Sequence, residues 1–222
     1  MKNVPTNFAF IGDLHSQSGP LLKALDYCRK ENCTPIFLGD LFDSRMETSD
    51  SVGVYKAVRQ ATEEGAIVLR SNHQNKLERY ARGNNVVLKE GFERTVQDFS
   101  DSGITIEEVS AWLETFPYGV ALRDSKGTEY RCAHAMFPKW VLVPPSYTGV
   151  YRVKDETRVF WWEEECDRTW VRVAGHYHHV HTSEKSLVLD GQMGGSTQKS
   201  FDPAHARLCV WNLEEQTLVQ FA

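Results

Sequence analysis

Four short peptides in this chain carry acids, amides and imidazoles: Gly12-Asp13-Leu14-His15, Gly39-Asp40-Leu41-Phe42-Asp43, Ser71-Asn72-His73 and Gly175-His176-Tyr177-His178, with a lone His134 between the last two. Oxygen and imidazole donors in this mixture suit first-row divalent metals. Two such ions about 3.5–4 Å apart acidify a water shared between them and polarise a phosphoryl group, which leaves only a proton for the leaving group to be supplied. The set therefore reads as a two-metal phosphoesterase site. Asp13, His15, Asp40, Asn72, His134, His176 and His178 are the expected donors. Asp40 is the natural bridge, because a carboxylate has two oxygens and its loop lies between the other two. His73, next to Asn72, is then free to act as general acid, oriented by Asp43. No cysteine lies in these peptides, so manganese, iron, zinc or nickel is expected rather than an iron–sulfur cluster or a structural zinc. His176 and His178 are separated by one residue; in an extended loop both would point to the same side and reach adjacent ions.

A Gly-Asp pair after a strand is common, and a His-x-His repeat in a histidine-rich segment can be a surface patch. The joint occurrence carries the reading, because each of the first three peptides follows a short apolar run: Phe8 to Ile11, Ile36 to Leu38 and Ile67 to Leu69. The intervals between them are long enough for helices. That predicts parallel strands with helical crossovers and ligand-binding loops at their carboxyl ends. Helices are expected at Pro20 to Lys30 with a Ser18 cap, at Val52 to Glu64 stopped by Gly65, and at Gln74 to Arg82, Phe92 to Phe99 and Ile106 to Phe116. A hairpin is expected from Gly119–Arg123 and Glu129–Ala133. Strands at Val171–Ala174, Ser186–Leu189, Ala206–Asn212 and Thr217–Gln220 are expected to complete a second sheet. The expected fold class is α/β, two mixed sheets packed as a sandwich and flanked by helices, in one catalytic domain spanning residues 1–222.

With these peptides the chain resembles the calcineurin-like metallophosphoesterases, whose pattern runs Asp-x-His, Gly-Asp-x-x-Asp, Gly-Asn-His, His, Gly-His-x-His. It looks most like the phosphoprotein-phosphatase branch, which includes phage lambda-type protein phosphatases, symmetric diadenosine tetraphosphatases and the phosphatase module of bacterial polynucleotide kinase-phosphatases. Supporting peptides are Cys132-Ala133-His134-Ala135, Val159-Phe160-Trp161-Trp162 and Leu187-Val188-Leu189-Asp190-Gly191 with Gly194-Gly195 after it. The resemblance implies a first metal on Asp13, His15, bridging Asp40 and His178, and a second on Asp40, Asn72, His134 and His176. It also implies two divalent ions, manganese foremost. Departures from the family pattern are Ser16, Ser71, Gln74 and Met136. Arg45, the expected phosphate clamp, stands one place late because Ser44 intervenes.

The 222 residues, 41% hydrophobic, can bury a full core. A net charge of -5 argues against stable nucleic-acid binding, though Lys76, Arg79, Arg82, Arg168 and Arg172 form modest basic clusters beside the third and fourth peptides. Cysteines 28, 33, 132, 166 and 209 form no close pair and leave one over, which suggests a reducing cytoplasm. No secretory or membrane-spanning pattern is present. Residues 137–156 are expected to be a long loop near the site.

The expected activity is hydrolysis of phosphate monoesters, on phosphoserine or phosphothreonine proteins or nucleotide-type substrates, by attack of a hydroxide bridging the metals. The alternative is a phosphodiesterase or dinucleoside polyphosphate hydrolase using the same centre. Arg45 and Arg158 separate the two, because a monoester carries one more negative charge and gains most from a guanidinium.

Overall fold

A computed structural model describes residues 7–89, 91–135, 170–195 and 202–222, and the backbone of 151–153. Strand β1 (Phe8–Ile11) is followed by α1 (Ser18–Lys30), β2 (Thr34–Phe37), α2 (Ser51–Glu63), β3 (Ile67–Val68), α3 (Asn72–Ala81), α4 (Phe92–Asp101) and α5 (Ile106–Leu113). Then come β4 (Gly119–Arg123), β5 (Glu129–Ala133), β6 (Tyr151–Val153), β7 (Val171–Ala174), β8 (Val180–Thr182), β9 (Ser186–Leu189), β10 (Leu208–Asn212) and β11 (Thr217–Phe221). The two mixed sheets have orders β11-β10-β1-β2-β3 and β6-β4-β5-β7-β9-β8. Within them, β1, β2 and β3 run parallel, as do β5, β7 and β9.

Alternation along each strand decides which layer a side chain joins, since successive residues face opposite sides of a sheet. Phe8 and Phe10 of β1, Ile36 of β2 and Ile67 of β3 pack between the sheets against Val120, Leu122, Cys132, Val173 and Leu187. Ala9, Ile11, Phe37 and Val68 face the other way, into the helical layer with Leu21, Leu25, Val54, Val58, Leu77 and Phe99. The α/β sandwich expected from the sequence is thus found, with the helices packed on the outer face of the first sheet.

Several local expectations change. β10 and β11 belong to the first sheet, β10 lying antiparallel to β1 with Phe10 opposite Trp211, not to the second. Ser18 does not cap α1: Gln17 holds the cap position without a side-chain bond, and the Ser18 hydroxyl donates to Asp50 at 2.7 Å. Asp50 in turn caps α2 through the Gly53 amide. α1 closes in a Schellman arrangement: Asn32 is left-handed at φ 52 and the Cys33 amide donates to the Cys28 carbonyl at 2.8 Å. Of the segment 137–156 only β6 lies within the described residues, pairing antiparallel with β4; the long loop expected there otherwise falls outside them, as do Arg158, Val159–Trp162, Cys166 and Arg168. Cys28, Cys33, Cys132 and Cys209 are buried free thiols. No helix is long and apolar enough to cross a membrane among the described residues.

Candidate metal centre

All the polar peptides leave the carboxyl ends of parallel strands, three from each sheet. Asp13, Asp40 and Asn72 follow β1, β2 and β3; His134, His176 and Asp190 follow β5, β7 and β9. The first two loops are laid on each other, the Leu14 and His15 amides donating to the Asp40 carbonyl at 3.1 and 2.8 Å. Gly39 stands at φ 118, and a Cβ there would meet His134 Nδ1 and Ser71 Cβ at 2.8 Å. Only glycine permits that approach. A Cβ on Gly175 would likewise collide with the Asp13 carboxylate.

The imidazole tautomers are set by backbone carbonyls. His134 Nδ1 lies 3.0 Å from the Leu38 carbonyl, and His15 Nδ1 lies 2.8 Å from that of Asp43. Each Nδ1–H is spent on a carbonyl, so a neutral ring turns its Nε2 lone pair inward, as metal-ligating histidines do. His134 Nε2 then faces Asn72 Oδ1 at 2.8 Å, His176 Nδ1 at 3.2 Å and Asp40 Oδ2 at 3.4 Å. Donors on a tetrahedral cation with bonds of about 2.0–2.2 Å stand roughly 3.3–3.6 Å apart, close to what is found. On the other side of Asp40, His15 Nε2 is 3.6 Å and His73 Nε2 is 4.0 Å from Oδ2. The buried Asp13 Oδ1 and Asp40 Oδ1 have no hydrogen-bond partner. Buried acceptors without donors are costly, and facing lone pairs repel unless something positive lies between them. The residues present fit a pair of divalent cations.

Electrostatics agree. Burial, with the Asp190 and Asp40 carboxylates beside it, pushes Asp13 well above the usual carboxylate range. Burial opposes ionisation of Asp40 too, but His134 and His73 overcome it and hold Asp40 well below that range. Burial and neighbouring His134 bring His176 down to about 4, leaving its ring neutral and able to ligate. His73 goes the other way. Burial would depress it, but Asp40 and Asp43 raise it to about 9, and its Nδ1 sits 2.7 Å from Asp43 Oδ2.

The structure brings Asp13, His15, Asp40, Asn72, His134 and His176 together, with the His73–Asp43 pair at the edge. It turns the His178 side chain outward. The loop after β7 is not extended: His176 and His178 are both left-handed, at φ 66 and 54, so the same-side rule for strands does not apply. The His176 amide donates to Asp13 Oδ2 at 2.8 Å and its ring turns inward. The His178 side chain is 71% exposed and stands 3.6 Å from Asp190. Ser44 is buried, its hydroxyl accepting from the Met46 amide and from Gln17; Arg45, pushed one residue on, is exposed. Other departures from the family pattern have local causes. Ser71 is extended and caps α3 through the Gln74 amide, and Ser16, left-handed at φ 59, meets the Ser51 hydroxyl at 3.1 Å.

Two residues outside the expected set of ligands and catalytic groups stand in or beside it. Lys76 Nζ lies 4.0 Å from Asp43 Oδ2, held by the Lys89 carbonyl at 3.0 Å and the Phe92 ring. Asp190 is wholly buried and follows the apolar run Leu187–Leu189, the same strand-then-acid pattern that marks Asp13 and Asp40. That pattern was its available signal.

The family model for calcineurin-like phosphoesterases matches residues 6–208, and the chain belongs to that family. Among solved structures, a "putative diadenosine tetraphosphatase" matches with a TM-score of 0.57 at 16% identity, over 99% of this chain and 95% of that one. A cold-active protein-tyrosine phosphatase from a psychrophilic Shewanella species matches with a TM-score of 0.51 at 15% identity, over 98% and 81%. At such identities the likeness is one of fold. No match was found among curated proteins.

Proposed function

We propose that the chain is a binuclear metal-dependent phosphoesterase acting on phosphate monoesters, of phosphorylated proteins or of nucleotides. The observation that carries this reading is the convergence of lone pairs about Asp40: Asn72, His134 and His176 on one side and His15 on the other, with the unpartnered Asp13 Oδ1 3.8 Å from His134. When bound, two divalent cations would acidify a water and neutralise charge on the phosphoryl oxygens.

The chain's own residues supply the rest. Asp40 spans both halves of the centre. The carbonyls of Leu38 and Asp43 hold His134 and His15 in the ligating tautomer. His73, oriented by its bond to Asp43, would donate a proton from Nε2 to the departing oxygen. Manganese is the metal to load first, with iron, zinc or nickel as alternatives, since the donors are oxygen and imidazole without thiolate.

A second reading turns on Arg45. A monoester dianion gains most from a guanidinium beside it, and Arg45 is exposed rather than among the buried donors. A diester or dinucleoside polyphosphate makes less demand on that clamp. One test separates the two: manganese-loaded protein assayed against phosphopeptides, mononucleotides, cyclic nucleotides, diadenosine tetraphosphate and 3′-phosphorylated oligonucleotides. Preference for phosphopeptides or mononucleotides supports the first reading, and preference for diesters or the tetraphosphate replaces it with the second.

A further inference from the structure

Asp190 makes contacts that no ligand role accounts for. Its Oδ2 accepts the His178 amide at 2.7 Å and its Oδ1 accepts the Gln192 amide at 2.9 Å. Both oxygens are thus engaged by backbone. Asp13, beside it, accepts the His176 amide at 2.8 Å through Oδ2, while its Oδ1 is buried without a partner. Two neighbouring carboxylates therefore grip alternate amides of one turn, at its two left-handed histidines. A left-handed conformation is unfavourable for a residue with a side chain, so each needs an acceptor of this kind to persist.

The same arrangement has an electrostatic consequence. Asp13 is 1% and Asp190 0% exposed, so water does little to screen one from the other. Among the described residues, no lysine or arginine forms an ion pair with either. Their repulsion is relieved when positive charge arrives at Asp13, and a cation on the free Oδ1 would do this without disturbing any of the three amide bonds.

We propose that Asp190 is a positioning residue of the metal centre: it pins the His176–His178 turn to the end of β9 and, standing behind Asp13, strengthens the centre's affinity for cations. Asp190 does not touch the cation. It keeps His176 aimed at the His134 side by fixing the turn from its far end, and it adds a buried negative charge. The inference rests on reading the cluster as a metal centre and is independent of the substrate.

The experiment is isothermal titration of manganese chloride into metal-stripped wild type and Asp190→Asn, with the melting temperature of each metal-stripped protein measured alongside. Asparagine keeps the size and one acceptor but loses the charge. The expected result is two sites in the wild type and a manganese affinity weakened roughly 10–100-fold in the variant, the usual cost of changing a residue behind a ligand, with the metal-stripped variant still folded and melting only several degrees lower, because one of the two amides loses its acceptor. Identical isotherms with a lowered melting temperature would make Asp190 a structural residue only and overturn the inference. A wild type that takes up no manganese would sink the metal-centre reading itself, and this inference with it. Should Asp190→Asn fail to fold, amide exchange followed by NMR on the unaltered metal-stripped protein decides: the His178 amide should be protected without metal, and exchange at the rate of an open loop would overturn the pinning.

Discussion

His73 Nδ1 and Asp43 Oδ2 stand 2.7 Å apart, and that bond points the other ring nitrogen toward Asp40 Oδ2, 4.0 Å away. The ring is anchored on one side and faces the donor cluster with the other. A carboxylate on the far nitrogen suits a ligand and a proton donor alike; in the metal-free protein the ring's pKa is raised to about 9, which suits it to carry a proton.

His73→Ala should therefore slow hydrolysis of alkyl phosphates by roughly 10²–10⁴-fold, the usual contribution of general acid catalysis, and slow nitrophenyl phosphate far less, since that leaving group needs no proton. Metal content should stay at the wild-type level. Equal losses on both substrates, or loss of metal, would make His73 structural or a ligand.

The same pair sets a pH dependence in the metal-free protein. A histidine whose folded pKa exceeds its unfolded value of about 6.5 contributes stability that is complete below about pH 6.5 and lost as pH rises through the folded value. The melting-temperature advantage of wild type over His73→Gln, measured in chelator, should be largest near neutrality or below and vanish above about pH 9. An advantage that grows with pH would contradict the assignment.

His176 and His178 should behave differently despite their shared motif. His176→Ala should weaken manganese binding by more than about 100-fold, beyond the 10–100-fold typical of residues behind the ligands, because its Nδ1 is 3.2 Å from His134 Nε2. His178→Ala, from a side chain 71% exposed, should change it only a few-fold by the same measure. Titrations of the two metal-stripped variants check this, and a His178 effect as large as that of His176 would mean that the ring turns inward when metal binds.

Much of this was legible in the sequence because the strands that end at the site are short and mostly apolar. Phe8–Ile11, Val171–Ala174 and Ser186–Leu189 read unambiguously, and so did the hairpin of Gly119–Arg123 and Glu129–Ala133. The sheet to which Leu208–Asn212 belongs was not legible, because pairing with β1 is a long-range event that alternation alone cannot specify. The two-residue rule misplaced His178 because it holds for extended backbone, and neither left-handed histidine advertises its φ in a motif. Asp190 went unassigned because its role appears only when the loop after β9 meets the loop after β7.

The sandwich core offers a test of the fold itself. Phe10 is wholly buried between the two sheets, its ring 6.1 Å from that of Tyr130 and tilted 41° to it. Phe10→Ala should cost about 3–5 kcal/mol, or roughly 6–20 °C in melting temperature for a chain of this size. A shift of only a degree or two in thermal unfolding would argue against this register of β1.

The bridging role proposed for Asp40 is tested most directly by metal content measured together with turnover in Asp40→Asn. An amide cannot join two cations as a carboxylate can, so the variant should hold at most one manganese per chain where the wild type holds two, and lose most of its phosphoesterase activity. Two metals per chain with near-normal turnover in Asp40→Asn would contradict the two-metal reading.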